Sequence, residues 1–356
     1  MNSNHVSPGL AAPVTVVIPT FNRAGELHRA LHHLSVQSVG AIQVVVVDNS
    51  STDATESMVR GLMPAWAGRL RYIRKEPNGP ASARNAGVQV VDTPYVLFHD
   101  SDVELPPEWV ERALSHLDAN PGLAAVGGYI LYAFDLQRVN AYGGDMGYFG
   151  LAWDVDEDTP LDSSKGAAAR IWINCSAMLA RRDALMQVAG FDERYFYGYE
   201  DSDLGWRLNL AGYRLEVHPD LKARHHVDPN PGNAHAEIVF HYCKNRLRSI
   251  LKNASVVRLP FMLCMYGAYT FADLLLRPSR KAKLRALAWN AVHLPETLAL
   301  RGTVQAGRVC ADSTVFRLGS GRWLPPNPLG GHRRRPSASD AKGQSRLGKP
   351  TVDDRV

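Results

Sequence analysis

The chain has 356 residues, of which 45% are hydrophobic and 21% are charged, and its formal net charge is +5. This balance is typical of a globular protein and excludes a chain that is disordered throughout. The charge is unevenly divided, because residues 1–240 carry 19 Lys and Arg against 29 Asp and Glu, whereas residues 241–356 carry 21 against 6. The acidic body argues against nucleic acid as the ligand. The basic remainder is either a solvated tail or a segment attracted to an anionic membrane surface.

The cysteines and the first residues of the chain indicate the cellular compartment. The four cysteines stand far apart with no Cys-x-x-Cys pair, which argues against a zinc ribbon or a disulfide scaffold. Residues 1–13 lack the basic and apolar regions of a secretory signal, and no charge-free apolar run reaches about 18 residues. We therefore expect a cytoplasmic protein without an ordinary transmembrane helix.

Short β-branched runs alternate with helical patterns along the first part of the chain. The predicted strands cover 14–19, 42–48, 70–75, 95–100 and 123–131. The predicted helices cover 25–37, 54–62 and 106–117, and a turn at 78–87 opens another helix. We expect Ser51 or Thr52 to cap the second helix. This alternation predicts βαβ units, and so an α/β fold with a Rossmann-like, mostly parallel central sheet flanked by helices.

The regular pattern is lost after the fifth strand and then resumes. Residues 133–170 are rich in Gly, Asp and aromatic residues and predict a long loop or an insertion. The later predicted elements are a strand running into a helix over 171–185, a helix over 201–211 followed by a strand, a helix over 234–252 and an apolar stretch over 259–276. We expect a catalytic domain over 13–230, a helical extension over 231–325 and a disordered basic tail over 326–356.

Polar and acidic side chains follow three of the predicted strands at the point where each strand ends. They are Thr20 and Asn22, then Asp48, and then Asp100 with Asp102. Parallel sheets bind ligands outside the carboxyl ends of their strands, so we expect these groups to line one cleft. Asp100 and Asp102 could hold Mg²⁺ or Mn²⁺ beside substrate phosphates, and the alternative for this short pattern is an ordinary surface turn.

Three further groups could supply acid–base or ligand chemistry, each with a structural alternative. Glu200, Asp201 and Asp203 open a predicted helix, where they could suit the helix dipole or provide a general base for an attacking hydroxyl. The histidine pair that begins at His225 could be structural or could complete a metal site. Arg84, at the start of a helix, could contact a phosphate or a base, or could lie at a solvated helix end.

Several motifs of other enzyme classes are absent. The first predicted strand is not followed by Gly-x-Gly-x-x-Gly, and the chain has no P-loop and no Gly-x-Ser-x-Gly elbow. Dinucleotide redox chemistry, P-loop hydrolysis and Ser-His-Asp catalysis thus lose their main support.

Six motifs follow one another in order: VTVVIPTFNR (14–23), VVVVDNSSTD (44–53), NGPASARNAG (78–87), VLFHDSD (96–102), GFDERYFYGYEDSDLGWRL (190–208) and KARHH (222–226). In this order and spacing, over roughly residues 13–250, the chain resembles the family 2 glycosyltransferases of GT-A fold, including rhamnosyltransferase-like members. One departure is Asn49, where many members have a second Asp.

The resemblance implies a role for each candidate residue. The residues that would contact the nucleotide-sugar donor are Thr20, Asn22, Asp48, Arg84, Asp100 and Trp206. Asp102 and His225 would ligate a divalent cation, Mn²⁺ or Mg²⁺, which would neutralise the departing diphosphate. Asp201 would be the base that accepts the proton of the acceptor hydroxyl, and attack from the opposite face would invert the anomeric centre.

The implied activity is transfer of one sugar to a glycan or lipid-linked acceptor in cell-envelope or surface polysaccharide or glycolipid synthesis. We expect a non-processive enzyme, because no Gln-x-x-Arg-Trp signature is present. The apolar stretch 261–276 and the basic cluster 277–285 predict either a core helix or a helix in the membrane interface, and the latter would give a peripheral location on the inner face of the membrane. The alternatives are a sugar nucleotidyltransferase and a non-catalytic nucleotide-sugar-binding module.

Overall fold

The structure, a computed structural model, describes residues 13–227 and 235–326, and a ten-stranded sheet lies at its centre. The strands of this sheet are β1 (Val14–Thr20), β2 (Gln43–Asp48), β3 (Leu70–Arg74), β4 (Tyr95–His99), β5 (Val103–Glu104), β6 (Leu123–Tyr132), β7 (Asp135–Ala141), β10 (Ala168–Ala169), β11 (Ala177–Arg181) and β12 (Arg214–His225). A separate hairpin pairs β8 (Gly144–Met146) with β9 (Ala152–Asp154).

The sheet begins as the sequence predicts and then becomes mixed. β3, β2, β1 and β4 are neighbours in that order and run parallel. β11 then runs antiparallel between β4 and β6, while β12 runs parallel to β6 with register shifts. The chain reaches β11 through the insertion and not through a crossover helix, so a parallel entry is not required. The predicted α/β class with a central sheet flanked by helices is confirmed.

Eleven α-helices lie among the described residues. Those of the first part are α1 (Ala24–Ser35), α2 (Thr55–Leu62), α3 (Gly79–Gln89), α4 (Trp109–Ala119), α5 (Arg182–Gln187) and α6 (Glu200–Leu210). The later ones are α7 (His235–Asn253), α8 (Leu259–Leu276), α9 (Arg280–Val292), α10 (Leu294–Ala306) and α11 (Asp312–Phe316). A short 3₁₀ helix, Met63–Trp66, follows α2.

Alternate residues of the buried strands face two separate hydrophobic cores. In β1, Val16 and Ile18 pack in one core with Leu31 of α1, whereas Val17 packs in the other with Leu208 of α6. This period of two is the expected consequence of strand geometry, and burial on both faces explains the continuous apolar runs in the sequence. The carboxyl ends of the strands are thereby left open between the two helical layers.

Of the two forms expected for residues 133–170, the structure has an insertion and not one long loop, because β7, β8, β9 and β10 lie within it. One local expectation was wrong. Neither Ser51 nor Thr52 caps α2, since the residue before that helix is Ala54 and makes no side-chain cap. The Ser51 hydroxyl instead donates to Asp48 at 2.6 Å, and Asp53 accepts from the backbone N–H of Thr55 at 3.0 Å.

Helix α7 docks the later helices on the part of the chain that contains the central sheet. Arg248 of α7 has a fully buried side chain that donates to Asp192 at 2.8 Å and to Thr297 at 2.7 Å. Buried charges need such partners, so these contacts tie α7 and α10 to the body. The predicted boundary at 230–231 and the tail beyond residue 326 lie outside the described residues, and the division into domains stays a prediction.

Candidate active site

Arg84 joins the two acidic motifs of the chain. Its buried side chain, on α3, donates through Nη2 to Asp100 Oδ1 at 2.8 Å. Its Nη1 lies 3.5 Å from Asp201 Oδ1 and 3.6 Å from Glu200 Oε1. The end of β4 and the start of α6 therefore meet at one guanidinium, which places the strand-end carboxylates and the predicted base in a shared site.

Glu200 and Asp201 are neighbouring carboxylates, and the pKa of each is raised. Burial raises the pKa of Glu200 to about 7, and the neighbouring Asp201 raises it further against the opposing charge of Arg84. Burial also raises the pKa of Asp201, again against Arg84. Asp201 Oδ2 accepts the Cys175 N–H at 3.0 Å, while its Oδ1 has no hydrogen-bond partner. An oriented carboxylate with a raised pKa and one oxygen that lacks a hydrogen-bond partner has the properties of a general base.

Asp102 and His225 meet at the ends of β4 and β12. His225 Nε2 lies 3.5 Å from Asp102 Oδ1, and Nδ1 of the same ring is 2.9 Å from Asn140 Oδ1. The Asn140 oxygen can accept from Nδ1–H, and Nε2, which faces Asp102, can either donate to that carboxylate or bind a cation.

This donor set fits a divalent cation. An imidazole nitrogen and a carboxylate oxygen converge, and Asn140 orients the imidazole as an outer partner does in metal sites. Burial raises the pKa of Asp102, but His225 and Arg23 outweigh that effect and lower it to about 2, so the carboxylate is ionised. The Arg23 guanidinium pairs with Oδ2 of Asp102, the oxygen other than the one that faces His225.

A second group of ligand atoms does not suit a metal. His116, His218 and Asp220 bring ligand atoms within 4.8 Å of one another. The two imidazole rings stack with centroids 3.7 Å apart and planes 13° apart. A metal lies in the plane of each imidazole that binds it, and two stacked rings cannot both meet that condition for one ion.

Three further candidate residues lie at the ends of β1 and β2. Asp48 is fully buried and accepts hydrogen bonds from the Ser51 N–H at 2.8 Å and from the Tyr72 hydroxyl. The buried Thr20 hydroxyl has no hydrogen-bond partner. Asn22 has a structural contact instead: its side-chain oxygen accepts from the Thr52 N–H at 2.7 Å and so links the segments that follow β1 and β2.

Trp206 does not lie where a donor contact requires it. Its indole is 0% exposed and packs in the core with Trp172, its ring centroid 5.5 Å from that of Phe316. The residue is one helical turn beyond Asp201 and points to the opposite side of α6, toward the later helices. In this structure its side chain is not open to a ligand.

Sequence reasoning did not identify Arg23, Asn140 and Cys175 as parts of the site. Arg23 lies within the first motif, shortly after the end of β1, and that position could have indicated a site residue. Asn140 and Cys175 lie in or next to the insertion, and their contacts with His225 and Asp201 depend on the fold alone. His99 was also missed: both of its buried ring nitrogens lack partners, and burial lowers its pKa to about 4, so it is neutral.

Two family models match the chain. The model of "Glycosyl transferase family 2" covers residues 15–151, and that of "Glycosyl transferase family group 2" covers residues 95–301. Together they include every candidate residue named above.

Curated relatives show the same likeness. A pre-mycofactocin glycosyltransferase of Mycobacterium tuberculosis is 32% identical over 60% of this chain and 42% of its own length. A validoxylamine A glucosyltransferase of Streptomyces hygroscopicus is 30% identical over 59% of this chain and 55% of its own length. The chain thus spans about half the length of these relatives. An N-acetylglucosaminyl-diphospho-decaprenol L-rhamnosyltransferase of M. tuberculosis is 27% identical over 76% of this chain and 96% of its own length.

Solved structures share the fold. GalNAc-T7 with UDP, GalNAc and Mn²⁺ matches with a TM-score of 0.55 at 15% identity, over 67% of this chain and 47% of that chain. A mannosyltransferase of Pyrobaculum calidifontis in complex with GDP-Man and Mn²⁺ matches with a TM-score of 0.50 at 19% identity, over 84% and 87%. These likenesses confirm the GT-A fold.

Proposed function

Because the chain belongs to glycosyl transferase family 2, we propose that it transfers one sugar from a nucleoside-diphosphate sugar to an acceptor hydroxyl, with inversion and without processivity. The observation that carries this proposal is the convergence on Arg84, whose guanidinium contacts both Asp100 and the carboxylate pair of α6. Donor-side and acceptor-side groups of the reaction need such a common site.

We assign the roles as follows. Asp201 accepts the proton of the acceptor hydroxyl, since the Cys175 N–H orients its Oδ2 and leaves Oδ1, 3.5 Å from Arg84 Nη1, without a hydrogen-bond partner. Arg84 and Asp100 orient the diphosphate sugar. Thr20 and Asp48 contact the nucleotide, and the unpartnered hydroxyl of Thr20 supports this role.

Asp102 and His225 would hold a divalent cation, and the ordered Asn140 contact supports that assignment. When bound, Mn²⁺ or Mg²⁺ supplies positive charge against which the diphosphate can leave. Solved structures of the same fold contain Mn²⁺. Arg23, whose side chain is 42% exposed, would have to release Asp102 for a cation to bind there.

The decisive experiment identifies donor and product. Thermal-shift measurements with UDP-, dTDP- and GDP-sugars, each with Mn²⁺ and with Mg²⁺, should reveal stabilisation by one nucleotide class, followed by release of nucleoside diphosphate when an acceptor is added. Pyrophosphate release from a nucleoside triphosphate would favour a sugar nucleotidyltransferase instead. Donor binding without turnover, for every acceptor tried, would favour a non-catalytic binding module.

We further propose that the acceptor is lipid-linked and that the chain works at the inner face of a membrane. Helix α8 supports this, since it is long and apolar enough by length and composition to cross a membrane, and only 17% of it is buried. Only Met262, Tyr266 and Thr270 of this helix are buried, which is not the pattern of a core helix.

The exposed side of α8 has the chemistry of a lipid-facing surface. Phe271, Leu275 and Leu276 are 66%, 59% and 83% exposed. Basic residues follow at once, at Arg277 and Arg280. Because the opposite side of α8 packs along α7, we place the helix in the interface plane and not across the bilayer. One relative is named for a diphospho-decaprenol substrate, which agrees with a lipid-linked acceptor.

A further inference from the structure

Two large aromatic side chains lie exposed beside the proposed base. Tyr197 stands three residues before Glu200 and is 47% exposed, and Tyr242 of α7 is 45% exposed. Their ring centroids are 6.1 Å apart, with planes at 54°. An exposed pair of aromatic rings at the mouth of a polar site is more informative than scattered surface residues, because aromatic faces commonly bind ligands there.

Two carboxylates lie close enough to Tyr242 to influence its hydroxyl. Burial raises the pKa of the Tyr242 hydroxyl, and nearby acidic groups raise it further, among them Asp154 and Glu200. Asp154 accepts from the Asn174 side chain at 2.8 Å, and the residue after Asn174 donates its N–H to Asp201. Asp154 and the proposed base Asp201 are therefore hydrogen-bonded to two consecutive residues, Asn174 and Cys175.

The aromatic pair is held in place before any ligand arrives. Gly198 lies against the Tyr242 ring with φ of +72°, and a Cβ there would lie 2.7 Å from Tyr242 Cε2. Asn245 of α7 donates to the carbonyls of Tyr197 at 3.0 Å and Gly198 at 2.6 Å. Tyr199 packs edge-on against Tyr242, with centroids 5.8 Å apart. Such ordering lowers the entropic cost of binding.

We propose that Tyr197 and Tyr242 form the stacking surface for a sugar ring of the acceptor, with Asp154 and Glu200 accepting hydrogen bonds from its hydroxyls. This inference rests on the proposed function. A pyranose presents an apolar C–H face and a polar edge, and the site offers an aromatic face beside acceptor oxygens. The helical extension then completes the acceptor site through α7, in addition to packing against the body.

Saturation-transfer NMR with octyl glucoside, octyl N-acetylglucosaminide and octyl rhamnoside, in the presence of the stabilising nucleoside diphosphate, tests the inference. We expect saturation of pyranose C–H protons of at least one glycoside by the unchanged chain and by Tyr242→Phe, which keeps the ring. Tyr242→Ala and Tyr197→Ala should each weaken binding by about 3- to 10-fold. The nucleotide thermal shift verifies that each variant is folded.

Equal saturation in the alanine and phenylalanine variants would overturn the inference, as would no saturation of any glycoside by a chain that binds the nucleotide. Absence of both the nucleotide shift and sugar transfer would instead count against the proposed function. The two failures are therefore distinguishable.

Discussion

The ammonium of Lys252 on α7 lies 2.9 Å from the carboxylate of Asp203 on α6, and both side chains are almost fully buried. The same Nζ is 2.7 Å from Asp192, in the segment that leads to α6. Burial alone would raise the pKa of Asp203, but Lys252 and Arg207 lower it. The helix that begins with the proposed base is thus fastened to the extension by a buried ion network.

Replacing Lys252 with methionine should destabilise the fold by about 3–5 kcal/mol, because two buried carboxylates lose a partner. Urea unfolding at pH 7 measures this loss, with the exposed Lys281→Met as control.

Since the pKa of Asp203 lies below its unfolded value, its stabilising contribution is present at neutral pH and disappears as pH falls through the folded pKa. The difference between wild type and variant should therefore shrink only below about pH 4. A constant difference down to pH 2 would contradict the assignment.

Asp201→Asn should reduce transfer by about 10²–10⁴-fold while donor binding persists, because an amide cannot accept the hydroxyl proton. The measurement is kcat of sugar transfer alongside the thermal shift given by the donor. Asp183→Asn, at an exposed position on α5, serves as the matched control. Unchanged turnover in Asp201→Asn would remove this residue from the role of base.

The acid limb of kcat/KM should lie near pH 7. Burial and the negative charge of Asp201 raise the pKa of Glu200 to about 7, and the pair must lose its shared proton before a base is available. Activity is therefore lost as pH falls through this value. In Glu200→Gln the limb should move to lower pH, since the neighbouring charge has gone. A limb that stays near pH 7 in this variant would show that another group titrates.

Asn140→Ala should raise the Mn²⁺ concentration needed for half-maximal donor binding by about 10- to 100-fold, as loss of an outer partner does in metal sites. The His225 ring would lose the hydrogen bond that holds its Nδ1–H. Calorimetric titration of Mn²⁺ in the presence of the donor measures the effect. His226→Ala is the control, because that ring contacts Glu104. Equal Mn²⁺ affinity in all three proteins would show that the Asn140 contact does not support a metal ligand.

Part of this site could be predicted from sequence because strand ends in a parallel sheet meet at one edge. That rule places Thr20, Asp48 and Asp100 together without knowledge of their contacts. It says nothing about which way a helical side chain points, and Trp206 was misjudged for that reason. The strands of the insertion could not be predicted either, because at two to seven residues they are too short to give a periodic hydrophobic pattern. Asn140 and Asp154 enter the site from there.

Binding to anionic membranes should depend on the exposed side of α8. The double variant Phe271→Glu, Leu276→Glu should lose most co-sedimentation with vesicles of phosphatidylcholine and phosphatidylglycerol, because two charges would enter the lipid-facing surface. Leu136→Glu, at an exposed apolar position on β7, should bind as well as wild type. Binding should also weaken as salt rises, since Arg277 and Arg280 contribute through charge, at about 1 kcal/mol each. Equal sedimentation of both glutamate variants would show that α8 does not face lipid. Binding that withstood sodium carbonate extraction would instead indicate a helix that crosses the bilayer.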